Sequence, residues 1–191
     1  GLYELREKFN NEMFEEADTA SSSSISLLSL SYFYGSVLRA LSGSVDSFWN
    51  DYALFSNLDA TDTGFWNLAD HYFDLLYYTD YIIGESWMGN VDWPQNNIKI
   101  YRSDATNNRW RFCITDQELA LAPNSWTDCS YDHIGYMLGW GDSEPYRGIW
   151  FKALQNERYK NYFINRFADV MNTTYQTDNL LAIENAMFDQ T

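Results

Sequence analysis

Basic residues are scarce in this chain of 191 residues, which has 12 Lys and Arg against 27 Asp and Glu and a formal net charge of −15. Nucleic acid and anionic membrane surfaces are therefore excluded as favoured partners, because both would be repelled. Between Arg39 and Lys99 there is no basic residue, although the same stretch contains nine acidic ones. Such a stretch needs divalent cations if it is to approach a polyphosphate. The alternative, a solvated acidic face that favours solubility, fits most of these residues.

Cysteines and long apolar runs are also few. The two cysteines, Cys113 and Cys129, do not fix a redox compartment, and the strand-like setting of Cys113 favours buried thiols over a disulfide. No segment reaches the ~20 apolar residues of a membrane span, and no signal peptide is recognisable. The chain opens abruptly at Gly1 with a strand-like segment over residues 2–6, so we expect it to be a piece of a larger protein. Its 46% hydrophobic and 18% aromatic content is ample for a packed core.

Hydrophobic periodicity predicts a mainly helical α+β fold with one β-hairpin. Residues 98–102 and 109–114 alternate with period two across a polar turn, which is typical of a hairpin. Residues 119–147 are rich in Gly, Pro, Asp and Ser and are predicted to be irregular. Helical spacing of apolar residues predicts helices over residues 25–41, 45–56 (capped by Ser44), 65–88 (one long or two consecutive helices), 149–156, 159–171 and 179–188.

The loop before the hairpin carries the most specific chemical signal. Asp92 is followed five residues later by Asn97, and Asp116-Gln117-Glu118 follows the hairpin. In phosphoryl transfer an Asp orients a hydroxyl, an Asn holds a metal ion, and a later Asp bridges that metal to nucleotide phosphates. The spacing alone is weak, since an Asp-x4-Asn pair is common by chance. Asp92 as a loop or capping residue and Asn97 as the closing residue of an Asx-turn therefore stay open.

Four basic residues on the hairpin, Lys99, Arg102, Arg109 and Arg111, allow two interpretations. They could form a basic strip that faces an anion, or they could balance neighbouring carboxylates. We favour the second, because charged residues on exposed strands more often serve that purpose. His71 and His133 lie far apart without an evident third ligand, so a zinc site is not predicted.

A resemblance is carried by Gly1–Glu7, Gly89–Arg102 and Trp150–Asp169, which are similar to stretches of the CotH (spore-coat protein H) kinase family of atypical, secreted protein kinases. The opening Gly1–Glu7 (GLYELRE) is similar to the strand at the junction of that family's two lobes. Gly89–Arg102 (GNVDWPQNNIKIYR) resembles the family's N-x-D-W-P-x-N-N-x-(K/R)-x-(W/Y)-R element and is the most specific of the three. Trp150–Asp169, which ends in FINRFAD, is similar to its C-terminal helix.

The resemblance implies that residues 1–191 form a kinase-like C-lobe, without the N-lobe, in which a small hairpin bears the active-site loop. It makes Asp92 the catalytic-loop Asp and Asn97 a ligand of Mg²⁺ or Mn²⁺ bound with ATP. The family's D-x-D-(F/W)-G-x-G motif is here Asp116–Ala122 (DQELALA), so its second Asp has become Glu118 and both its glycines have become alanine. Glu118 retains carboxylate oxygens, but its longer side chain displaces them by ~1 Å, which octahedral Mg²⁺ resists. Asp116 is the alternative ligand.

The resemblance further implies an exported, cell-surface or spore-coat protein kinase with a protein substrate. A kinase also needs a Lys–Glu pair on a small lobe covering the phosphates, so this chain alone is not expected to transfer phosphate. The altered Asp116–Ala122 stretch leaves a second hypothesis open. In it, the chain is a catalytically inactive surface or adhesion module that binds a protein or glycan partner.

Overall fold

The computed structural model describes residues 9–31, 35, 37–117, 119–121, 131–140 and 145–188. It is a mixed α/β structure in which helices surround one antiparallel sheet. In chain order the first elements are α1 (Asn11–Asp18), β1 (Ser26–Leu30), β2 (Arg39–Ser42), α2 (Val45–Ser56), α3 (Phe65–Ala69), α4 (Leu75–Met88), β3 (Ile98–Arg102) and β4 (Arg111–Cys113). Four helices follow, namely α5 (His133–Trp140), α6 (Pro145–Ala153), α7 (Glu157–Asn172) and α8 (Thr177–Phe188).

The predicted hairpin is confirmed as β3 and β4, which pair antiparallel with Ile100 opposite Phe112. It does not stand alone, however, because the sheet has four strands in the order β2-β1-β3-β4. The predicted helix over residues 25–41 is therefore wrong. Leu27, Leu28 and Leu30 are all buried in β1, so this strand is covered on both faces and lacks the alternation that marks a half-buried strand.

The helices that precede the loop of Asp92 agree with the prediction. Ser44 caps α2 by accepting a hydrogen bond from the Asp46 N–H at 3.1 Å. The segment 65–88 is two helices, α3 and α4, and Asp74 caps the second. Gly89 ends α4 with a left-handed φ of 61°, a conformation that glycine adopts without steric cost.

Two other expectations need correction. Residues 133–140 form α5 inside the segment predicted to be irregular, while the expected strand over residues 2–6 lies outside the described residues. The helical spacing of segment 65–88 also predicts burial of Leu68, Leu76 and Tyr77, but each is more than 40% exposed. The buried face of α4 includes Tyr78, Tyr81, Ile82, Ile83 and Glu85, and the burial of Ile83 agrees with the predicted spacing.

The core is aromatic, and Trp93, Trp110 and Trp150 are among its largest fully buried side chains. Around it, arginines of the hairpin pair with carboxylates of the helices: Arg102 with Asp51 at 2.6 Å, Arg109 with Asp70 at 2.6 Å, and Arg111 with Asp74 at 2.8 Å. The interpretation of these arginines as partners of neighbouring carboxylates is confirmed. Cys113 is buried and forms no disulfide bond within the described residues, and Cys129 lies outside them. Among the described helices, none is long and apolar enough to cross a membrane.

Candidate active site

The loop between α4 and β3 holds the carboxylate of Asp92 between two amides. Asn96 Nδ2 donates to Asp92 Oδ2 at 2.7 Å, and Asn97 Nδ2 donates to the same oxygen at 2.8 Å. Asp92 is half-buried, and within the described part of the chain no hydrogen bond uses its Oδ1. The loop thus fixes one oxygen of the carboxylate and leaves the other available.

The aromatic residue next to Asp92 anchors the loop in the core. Trp93 is buried, its indole N–H donates to the Tyr81 hydroxyl, and its peptide bond with Pro94 is cis. Its carbonyl oxygen lies 3.1 Å from Nε2 of His133, the first residue of α5. Burial lowers the pKa of His133, and the contact with the Trp93 carbonyl opposes that shift. The imidazole is therefore expected to be neutral at pH 7, with Nε2–H donating to this carbonyl.

Behind the loop lies a second carboxylate, Glu85, which is fully buried on α4. Asn90 Nδ2 donates to its Oε2 at 3.0 Å, and Gln117 Nε2 lies 3.2 and 3.1 Å from its two oxygens. Burial raises the pKa of Glu85 to about 7, although both amide hydrogen bonds lower it in part. Asn90 also accepts from the Asp92 N–H at 3.3 Å, so the buried carboxylate connects to the candidate loop.

The structure brings Asp92 and Asn97 together, and it places Asp116 on the segment that follows β4. Asp116 is exposed, has a left-handed φ of 53°, and lies close enough to Lys99 to raise the pKa of that ammonium. Burial has the larger, opposite effect on Lys99, whose Nζ donates to Ser29 Oγ at 2.6 Å. Glu118 lies outside the described residues.

Comparison with protein families settles the class of this chain. The family model described as CotH kinase protein matches residues 1–190. The chain belongs to the CotH kinase family. The curated proteins and the solved structures gave no match. The family is kinase-like, and its members are expected to use ATP and a divalent metal. The loop of Asp92 therefore belongs to a CotH kinase protein.

A magnesium ion held together with phosphate takes oxygen ligands, and Asn97 and Asp116 of this CotH kinase protein carry side-chain oxygens of that kind. The Nδ2 of Asn97 is turned to Asp92, which leaves its Oδ1 as the atom able to face a cation, and Asp116 offers a carboxylate. Within the described ranges no group of three or more His, Cys, Asp and Glu side chains could hold a metal. Such a cluster is not required, because Mg²⁺ keeps several waters and takes one or two protein ligands plus phosphate oxygens.

Sequence reasoning did not find the residues that support this loop, which are Glu85, Asn90, Asn96, Gln117 and His133. A signal was present for one of them. Glu85 lies three and four residues after Ile82 and Tyr81, which places it on the buried face of α4. A charged residue on an apolar helical face needs a partner, and that requirement marks Glu85 as a position to examine.

Proposed function

We propose that this chain is the C-terminal lobe of a secreted atypical protein kinase that transfers the ATP γ-phosphate to a protein hydroxyl. The observation that carries the proposal is the Asp92 carboxylate, with Oδ2 held by Asn96 and Asn97 and Oδ1 free of hydrogen bonds within the described residues. Family membership supports the kinase-like class. The protein substrate, the export and the C-lobe identity are parts of the proposal.

In this proposal Asp92 orients the substrate hydroxyl and accepts its proton. The hydroxyl oxygen attacks the γ-phosphorus while the bond to the β–γ bridging oxygen breaks, and ADP leaves with that electron pair. The two amides on Oδ2 direct Oδ1 towards the hydroxyl, so the orientation of the carboxylate is set before substrate binds. Most of the acceleration then comes from positioning and charge stabilisation rather than from strong base catalysis.

The residues proposed to hold the nucleotide and its metal are Asn97 and Asp116, with Glu118 as a further carboxylate. A bound Mg²⁺ or Mn²⁺ would neutralise part of the phosphate charge. The chain itself contributes the Asn97 amide oxygen from the loop and the Asp116 carboxylate from the segment after β4. Lys99 is close enough to Asp116 for that carboxylate to raise the pKa of its ammonium, and it is a further cation near this segment.

The test is Asp92→Ala in the full-length protein, assayed with radiolabelled ATP and either Mg²⁺ or Mn²⁺. We expect autophosphorylation to fall by about 100-fold or more, which is the usual contribution of a positioned acid–base group. Asp46→Ala is the matched control, because Asp46 is an exposed carboxylate in the first turn of α2. Autophosphorylation that survives unchanged in Asp92→Ala would remove Asp92 from the mechanism.

A further inference from the structure

Glu85 is the buried carboxylate nearest to the candidate loop, and the proposed chemistry leaves it without a role. It has no exposed surface, and an ionised carboxylate at such a position is costly unless hydrogen bonds compensate. An apolar side chain would fill the same space in α4 without that cost. The hydrogen bonds that Glu85 makes therefore show what the carboxylate contributes.

The two partners of Glu85 come from two different segments. Asn90 begins the loop of Asp92 and is itself fully buried. Its Nδ2 donates to Glu85, and its Oδ1 accepts a hydrogen bond from the Asp92 N–H. Gln117 is the residue next to Asp116, and its Nε2 spans both oxygens of Glu85 while also donating to the Thr115 carbonyl at 3.1 Å. One carboxylate thus joins the segment of Asp92 to the segment of Asp116.

A separate backbone contact places the second segment at the same end of α4. The Leu121 N–H donates to the Met88 carbonyl at 2.8 Å, close to the point where Gly89 ends the helix. The segment that follows β4 is therefore fixed to α4 both by a side chain and by the backbone. Of these two links, only the one through Glu85 also reaches the loop of Asp92.

We propose that Glu85 is a positioning residue that sets the placement of Asp116 relative to Asp92. The inference rests on the proposed function, because it assigns to Glu85 the alignment of the hydroxyl-orienting carboxylate with the metal-binding one. Glu85 itself touches neither substrate nor metal. A displacement of about 1 Å between reacting groups can cost on the order of 100-fold in rate, so a link of this kind affects kcat directly.

The experiment exchanges the hydrogen-bonding groups of Glu85 and Gln117 in the full-length protein. In Glu85→Gln an amide N–H₂ faces the N–H₂ of Gln117, and one hydrogen bond is lost. In Gln117→Glu two carboxylates face each other. The double variant E85Q/Q117E restores a donor opposite an acceptor between positions 85 and 117 and leaves an oxygen for Asn90, but it still lacks the hydrogen bond to the Thr115 carbonyl. We expect each single variant to lower kcat about tenfold or more, with a rise in KM for MgATP that is smaller than the fall in kcat, and the double variant to recover part of the lost kcat.

Asp74→Asn is the matched control, because Asp74 is the buried carboxylate that caps the other end of α4 and pairs with Arg109 and Arg111. It should lower Tm at least as much as Glu85→Gln while leaving kcat within about twofold. A Glu85→Gln protein that loses Tm but keeps its kcat would show a purely structural role. A double variant no more active than the single ones would also overturn the proposal.

Hydrogen exchange separates a failure of this inference from a failure of the proposed function. If the wild-type protein transfers no phosphate, the kinase proposal fails, but the link can still be measured. Glu85→Gln should then speed exchange over residues 89–99 and 114–121 together, whereas Asp74→Asn should not. Faster exchange in only one of the two segments would show that Glu85 does not join them.

Discussion

At the scale of single residues, two carboxylates seven positions apart have opposite environments. Asp92 is half-buried and keeps one oxygen free within the described residues, whereas Glu85 is fully enclosed and both of its oxygens accept amide hydrogen bonds. The first arrangement suits a group that meets a substrate. The second suits a group that holds its neighbours in place, because a buried hydrogen-bonded carboxylate resists reorientation.

The environment of Glu85 predicts a pH dependence of stability. Burial raises the pKa of Glu85 from 4.5 to about 7, so the folded state binds a proton that the unfolded chain has already released. The stabilisation is fully present below pH 4.5 and is lost as pH rises through about 7. The free energy of unfolding should therefore fall by up to about 3 kcal/mol across this window, as urea titrations at pH 5 and pH 8 would measure.

The same titrations with Glu85→Gln isolate this contribution from those of other groups. His133 acts in the opposite direction, since burial lowers its pKa and its protonation below that value favours the unfolded chain. The difference between wild type and Glu85→Gln cancels the His133 effect and should retain the fall in stability between pH 5 and pH 8. A difference that does not vary with pH would contradict the raised pKa of Glu85.

The candidate site could be predicted from the sequence only where its residues are close together along the chain. Asp92 and Asn97 lie on one loop. The five-residue spacing between them, together with the hairpin that follows, predicted both as site residues. Glu85 meets Gln117 across 32 residues, because the hairpin returns the chain to the end of α4. No rule based on sequence spacing predicts the contact between Glu85 and Gln117. The residues that support the loop could therefore be identified only from the fold.

At the scale of elements, the helices were more predictable than the sheet. The segment 45–56 has a capping serine and an apolar pattern of period 3.6, and both signals are local. β1 is the central partner of β2 and β3, and its leucines are buried on both faces, so its pattern resembles that of a buried helix. Pairing with the nearby Arg39–Ser42 and with the distant Ile98–Arg102 decides in favour of a strand.

The close packing after β2 predicts a large cost for a methyl group at Gly43. Gly43 has a φ of +72°, and an added Cβ would lie 2.3 Å from Ser26 Oγ and 2.8 Å from Ser26 Cα. Gly43→Ala therefore combines left-handed strain of about 1–2 kcal/mol with overpacking of about 1–3 kcal/mol. Urea unfolding should show a loss of roughly 2–5 kcal/mol, the sum of these two contributions.

Gly89→Ala is the matched control for Gly43→Ala. Gly89 has a similar φ of +61°, but an added Cβ would meet nothing within 4 Å. It should cost only the left-handed strain, about 1–2 kcal/mol. Equal losses in the two variants would show that the approach of Gly43 to Ser26 is not tight, and that the end of β2 is free to move away from β1.

At the scale of the whole molecule, the net charge of −15 makes the chain a poor receptor for a free polyphosphate. The arginines of the hairpin do not change this, because Arg102, Arg109 and Arg111 are paired with aspartates. In the proposed function the nucleotide therefore has to arrive with its metal. A divalent cation offsets the phosphate charge and adds the ligand positions that Asn97 and Asp116 are proposed to fill.

This charge balance predicts that nucleotide binding depends strictly on the metal. In the full-length protein, MgATP at about 100 times its Kd should raise the free energy of unfolding by about 2.7 kcal/mol, measured as a shift in Tm. ATP with EDTA should give a much smaller shift, and MgCl₂ alone serves as the control for metal binding without nucleotide. Asn97→Ala should reduce the MgATP shift, because it removes an amide oxygen proposed to bind the metal. An equal shift for ATP with EDTA would contradict the metal-dependent site, whereas no shift with MgATP or MnATP would indicate a CotH kinase protein that does not bind nucleotide.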